Sequence, residues 1–320
     1  MVQVGLVLLD NPSNIFPVLH YILEIYVQDL IMDPNVEEIV NTFGVVLHSN
    51  SFVKKKAVKN NKHFIFDLDE TLGSFGDLYI LWCWLLRLKD DGLICFNENQ
   101  TQFNALMDIY PEFLRYGIMT ILEFLFYKKL SGKCGSVYIY TNNQCYPPWV
   151  NLIIKYLEST RGLHGLFEPP ICALKINNCI IDPRRTTFDK THEDFIKCSL
   201  LPRQSEIFFL DNTFFPKMNV ERVYYVQPLS YHHSLSIEEM IQRFQNLGII
   251  DGNKIQIEAW FYQNLSNNPK TKFMHDVDIA ISKRLMYLIK DFFSMTIRKK
   301  RTSRVRFNKQ KTNVTRKIHP

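Results

Sequence analysis

Two carboxylates one residue apart, Asp67 and Asp69, follow three apolar residues in the stretch His63-Phe64-Ile65-Phe66-Asp67-Leu68-Asp69-Glu70-Thr71-Leu72. The apolar run has the character of a strand buried on both faces of a parallel sheet, and charge begins where burial would end. In an extended chain residues two apart point the same way, so both carboxylates lean into the crevice at the carboxyl end of the strand. Close carboxylates repel, and they stay ionised together only when a cation or protonated donors neutralise them. The spacing therefore predicts a metal site.

Such a pair needs neighbours to hold it. Residues 136–140 read as a second buried strand ending in Thr141-Asn142-Asn143-Gln144, a hydroxyl and fresh N–H groups that suit a phosphate cradle. A helix over 149–159 follows, then a hairpin within 171–183 turning at Asn177-Asn178. Thr191 with Asp194 three residues on caps a further helix, which Pro202 ends. Residues 206–210 read as a third buried strand closed by Asp211-Asn212, and 222–226 as a fourth. Ser236 with Glu239 opens a helix, and Val277, Ile281, Leu285, Leu288 and Phe292 form a helical stripe of core or partner-surface character. His232-His233 are adjacent, so they point apart and read as a surface loop rather than a metal pair.

Asp67-x-Asp69-x-Thr71 resembles the first motif of the haloacid-dehalogenase-like phosphatases. Asp-Leu-Asp-Glu-Thr-Leu is most similar to the branch containing the NLI-interacting-factor-like and RNA polymerase II C-terminal-domain phosphatases. Thr141 resembles the second motif of that family, Lys190 the third, and Asp211-Asn212 the fourth, so the resemblance covers residues 60 to about 230. Lys197, in Phe195-Ile196-Lys197-Cys198, competes for the third motif; Lys190 is favoured because a mid-helix lysine reads as a solvated face. Arg115-Tyr116-Gly117 stands where the family has Arg-Pro-Gly and departs from it by tyrosine. Residues 190–198 and Phe215-Pro216-Lys217-Met218 also resemble such phosphatases of large DNA viruses.

The resemblance implies an α/β fold, a three-layer Rossmann-like parallel sheet of the haloacid-dehalogenase type with a small flap or cap insert and added helices at both ends. Its expected divisions are a helical extension (1–60), a phosphatase core (61–250, insert about 73–135), a helical segment (251–297) and a basic tail (298–320). It implies that Asp67 attacks phosphorus and that Asp69 serves as general acid and base. Mg²⁺ would sit on Asp67, the Asp69 main-chain carbonyl and Asn212, helped by Asp211. Thr141, Asn142 and Lys190 or Lys197 would bind the phosphoryl oxygens, while Thr71 braces the loop. The expected activity is a Mg²⁺-dependent protein phosphoserine or phosphothreonine phosphatase. The alternatives are a nucleotide or polynucleotide phosphatase, and an inactive scaffold that binds RNA or phosphoprotein.

Composition agrees with a globular protein: 46% of the 320 residues are hydrophobic and 22% charged. Seven cysteines lie scattered without a Cys-x-x-Cys pair, which points away from a disulfide framework or zinc site and towards an intracellular, cytoplasmic or nuclear setting. The apolar start lacks the flanks of a secretory signal, and no run reaches membrane-helix length. Of the 38 Lys and Arg, ten fall after residue 297 with no acid among them, which leaves 28 against 32 Asp and Glu elsewhere. That tail suits nucleic acid or nuclear localisation as well as it suits a solvated end.

Overall fold

The computed structural model describes residues 38, 40, 44–54, 62–146, 148–250 and 256–297. Its strands are β1 (Val45–Leu47), β2 (Phe52–Lys54), β3 (Lys62–Phe66), β4 (Val137–Ile139), β5 (Lys175–Ile176), β6 (Cys179–Ile180), β7 (Glu206–Leu210), β8 (Val223–Pro228) and β9 (Met295–Ile297). The helices are α1 (Gly76–Asp90), α2 (Gln100–Ile109), α3 (Ile118–Leu130), α4 (Pro148–Thr160), α5 (His192–Ser199), α6 (Ile237–Asn246), α7 (Ile257–Asn264) and α8 (Lys272–Ser294).

The protein is α/β, built on a mixed five-stranded sheet of order β1-β8-β7-β3-β4. β3 pairs in parallel with β4 and β7, and β7 with β8, so β3, buried along its whole length, lies between parallel neighbours as its apolar run Phe64-Ile65-Phe66 requires. The sheet is not all parallel, because β1 joins antiparallel to β8 at one edge. Residues 45–47 and 52–54 are thus strands rather than part of a helical extension; the apolar helical pattern around residues 18–30 lies outside the described residues.

Alternation along the strands divides the interior. Phe64, Phe66, Phe208, Leu210, Tyr224 and Val226 face a large core shared with α1–α4 and α6–α8. Ile65, Ile207, Phe209, Val223 and Tyr225 face a smaller one completed by Phe195 and Cys198 of α5. Val277, Ile281, Leu285, Leu288 and Phe292 are all buried, so the helical stripe is core, with the Phe292 ring 5.5 Å from Phe64 and 5.6 Å from Phe208. The interval expected to be a small flap or cap holds α1–α3, whose buried side chains join that same large core. A run such as 78–86, with Leu78, Leu81, Trp82 and Leu85 buried, has too much apolar surface to stand off as a lid.

Local signals hold where they rest on near neighbours. The β5–β6 hairpin turns at Asn177 (φ 48°) and Asn178 (φ 64°), the left-handed region that asparagine tolerates. Ser236 and Glu239 form the reciprocal cap of α6. His233 departs from the surface reading: it is fully buried, with Nε2 2.8 Å from Asp77 Oδ2, and ties the chain after β8 to the start of α1. Among the described residues no helix is long and apolar enough to cross a membrane.

Burial at the foot of β3 carries a pH dependence. His63 is buried, and its Nδ1 accepts from Ser136 N–H at 3.1 Å. Burial first, against a smaller pull from Glu168, lowers its pKa from 6.5 to about 4. Between these values the unfolded chain binds the proton and the native state does not, so stability falls as pH drops from about 6.5 through about 4. Urea unfolding is expected to lose up to ~3 kcal/mol across that window through this group, and His63→Phe to flatten that part of the slope.

Candidate active site

Strand register explains which side chains meet. Phe66 stands opposite Leu210, so the next residues, Asp67 and Asp211, leave the sheet side by side. Asp67 N–H donates to Leu210 O at 2.9 Å. By alternation Asp67 follows Ile65 and Asp211 follows Phe209 onto the face that α5 covers. Thr191 caps α5, accepting from Asp194 N–H at 3.0 Å, and its own N–H reaches the Tyr140 hydroxyl at 3.2 Å. The residue before that cap is Lys190. Its Nζ is buried and donates to Asp67 Oδ1 and to Asp211 Oδ2, the latter at 2.6 Å.

Asp67 Oδ2 faces the Thr71 hydroxyl at 3.1 Å. That hydroxyl also lies 2.9 Å from Asn212 Oδ1, so its single proton is shared between the two acceptors, and it accepts from Asn212 N–H at 3.0 Å. Asn212 Nδ2 donates to Glu70 and to Ser230 Oγ. The loop itself is strained at Glu70, whose φ is 58°. Buried Arg115 holds it there, donating to Thr71 O (2.5 Å), Glu70 O (2.6 Å) and Leu229 O (2.8 Å). Thr71 therefore braces the loop, and Arg115 of the Arg115-Tyr116-Gly117 stretch secures the same backbone.

Tyr140 N–H donates to Phe66 O, which sets Thr141 at the sheet edge beside the loop that begins at Asp67. The Thr141 hydroxyl accepts from Asn143 N–H at 3.0 Å. Asn143 Nδ2 donates to Asp69 Oδ2 at 2.7 Å, while its Oδ1 accepts from Cys145 N–H at 2.8 Å, so the amide is held in one orientation. Asn142 does not aim at the carboxylates: its Oδ1 accepts from Arg185 at 2.8 Å. Buried Arg185 also donates to the Thr141, Cys172, Phe188 and Asp189 carbonyls, tying the strand end to the loop that delivers Lys190. Lys197 is not brought in either. It points outward from α5, paired with Glu193 at 3.2 Å, because Phe195 and Cys198 present the opposite side of the helix to the sheet.

The cluster carries more negative charge than one lysine balances. Burial pushes Asp69 up to about 6, with Asp67 adding to the rise and Asn143 opposing it. Burial raises Asp211 to about 7, offset in part by Lys190 and reinforced by Asp67. Burial works against the Lys190 ammonium, but Asp67 and Asp211 overcome it and raise its pKa. Among the described residues no three His, Cys, Asp or Glu side chains are grouped as metal ligands. The predicted ligand set is mixed instead: Asp67 and Asp211 carboxylates, the Asn212 amide and the Asp69 carbonyl. All four are oxygen donors and two are carboxylates, a chemistry that fits a hard divalent cation.

Comparison with protein-family models, with curated proteins and with solved structures yields no match to this chain.

The two candidate lysines separate by stability. Lys190→Met leaves two buried carboxylates without their cation and is expected to cost about 3–5 kcal/mol in denaturant unfolding at pH 7.5. Lys197→Met removes an exposed helix pair and is expected to change stability by no more than about 0.5 kcal/mol.

Proposed function

We propose that this chain is a Mg²⁺-dependent phosphomonoesterase that works through an aspartyl-phosphate on Asp67. In this reading the sheet with helices on both faces is a three-layer Rossmann-like core of the haloacid-dehalogenase type, related to the C-terminal-domain phosphatase branch. The observation that carries it is the meeting of Asp67, Lys190 and Asp211 at the carboxyl ends of neighbouring parallel strands, where such sheets bind ligands, with Asn212 joined to Asp67 through Thr71 and Asp69 close enough to feel the Asp67 and Lys190 charges.

A phosphate monoester resists attack because its oxygens repel an anionic nucleophile, so a catalyst must neutralise charge and align the attacking atom. Asp67 is aligned from both sides, by Lys190 on Oδ1 and Thr71 on Oδ2. Its carboxylate forms the new P–O bond while the ester P–O bond breaks, and Asp69 gives its proton to the departing oxygen. Asp69 then takes a proton from water as the water oxygen attacks phosphorus, the Asp67–phosphorus bond breaks, and inorganic phosphate leaves. Lys190 and the Thr141 hydroxyl face the phosphoryl oxygens. Mg²⁺, when bound, would offset phosphoryl charge from Asp67, Asn212, Asp211 and the Asp69 carbonyl. Asn143 positions Asp69, since its fixed amide occupies Oδ2 and leaves Oδ1 for the proton. The proposed natural substrate is a phosphoserine or phosphothreonine protein inside the cell.

Two measurements check this. Asp67→Asn is expected to lower Mg²⁺-dependent release of phosphate from an aryl phosphate by about a thousandfold or more while the protein stays folded by circular dichroism; unchanged turnover refutes the assignment. Asn143→Ala is expected to slow phosphoserine, a poor leaving group, far more than p-nitrophenyl phosphate, with the loss in kcat rather than KM. An equal loss on both substrates would mean that Asn143 only braces the loop.

A further inference from the structure

Beside the candidate site, a cavity of about 530 Å³ opens between the chain after β8 and the start of α8. That volume suits a side chain or small ligand. Ser230 belongs to both places, lining the cavity while its Oγ accepts from Asn212 Nδ2 at 3.0 Å. Leu229, Phe273 and Met274 line it and are about half exposed, unusual for large apolar side chains grouped together. Lys270, also in the wall, is already neutralised: its Nζ donates to Asp278 at 2.6 Å and lies 4.4 Å from the Tyr231 ring centre.

We infer that this cavity is a subsite for an apolar side chain flanking the phosphorylated residue of a protein substrate. The inference rests on the phosphomonoesterase reading and adds to it a preference for an apolar residue beside the phosphorylated one. The Asn212–Ser230 hydrogen bond joins the cavity to a proposed magnesium ligand, so the cavity lies on the side of the site where a residue flanking the phosphorylated one arrives. A polynucleotide would bring further phosphates and need free cations to meet them. The wall offers apolar surface and a lysine with its own carboxylate, which favours a neutral apolar occupant.

The test gives the full chain four substrates: p-nitrophenyl phosphate, a phosphoserine peptide flanked by leucine, the same peptide flanked by glycine, and a 5′-phosphorylated oligonucleotide. The leucine peptide is expected to exceed the glycine peptide in kcat/KM by about tenfold or more, through KM. Met274→Asp, tolerated because an acid suits the first turn of α8, and Phe273→Ser are expected to bring that ratio towards one. Equal turnover of the two peptides, a ratio that survives both substitutions, or preference for the oligonucleotide overturns the inference. So does an oligomer that Met274→Asp dissociates, since the face would then join copies of this chain. Absence of p-nitrophenyl phosphate turnover strikes the phosphomonoesterase reading instead. In that case calorimetric titration with non-hydrolysable phosphonate peptides decides the subsite: leucine-flanked binding no tighter than glycine-flanked overturns it.

Discussion

One buried ammonium between two buried carboxylates is the interaction on which the site depends. Lys190, Asp67 and Asp211 are all removed from water, so each charge must find its partner inside the protein. That requirement fixes relative positions across more than a hundred residues of chain. Asp67 and Asp211 stand together only if β3 and β7 keep their parallel register, and Lys190 reaches them only if α5 starts where Thr191 caps it. The Tyr140 hydroxyl against Thr191 N–H and Arg185 across five acceptors secure that start from the side of β4.

The two faces of the sheet divide the work. Seven helices build the large core that supplies most apolar burial, and α8 is pinned to it from below by Lys62, which bonds Glu206 and the Met295 carbonyl. The other face is covered by one short helix, and there the sheet delivers its charged residues. Arg115 works between the two, holding the strained Glu70 backbone from the large-core side so that Asp69 and Thr71 meet their partners. The folded core thus sustains a local arrangement that the loop would not keep alone.

What could be read from sequence was what depends on short spacing. The apolar runs of β3, β4, β7 and β8, the Asn-Asn turn, the Thr191 and Ser236 caps and the α8 stripe all lie within a few residues of their own signals, and Asp67, Asp69, Thr141, Lys190, Asp211 and Asn212 fall at the ends of those elements. β1 and β2, three residues each, are too short for a period to show, and they exist because β8 and β9 supply their hydrogen bonds. Arg115 and Arg185 act on carbonyls that no local pattern reveals. Asn143 was legible in principle, standing two residues beyond Thr141, but its bond to Asp69 spans 74 positions. Lys197 and Asn142 are not brought to the carboxylates for the opposite reason: their local signals were plausible, yet helix geometry turns the first outward and Arg185 takes up the second.

The central claim is that Asp67 accepts a phosphoryl group covalently, and the most direct measurement is to catch it there. The protein is mixed with a phosphomonoester and Mg²⁺, quenched in acid within milliseconds, reduced with borohydride and mapped by peptide mass spectrometry. The account predicts that Asp67 alone among the carboxylates is converted to homoserine, and only when phosphate ester is present. Turnover without any modification of Asp67, or with the label on another residue, would contradict it.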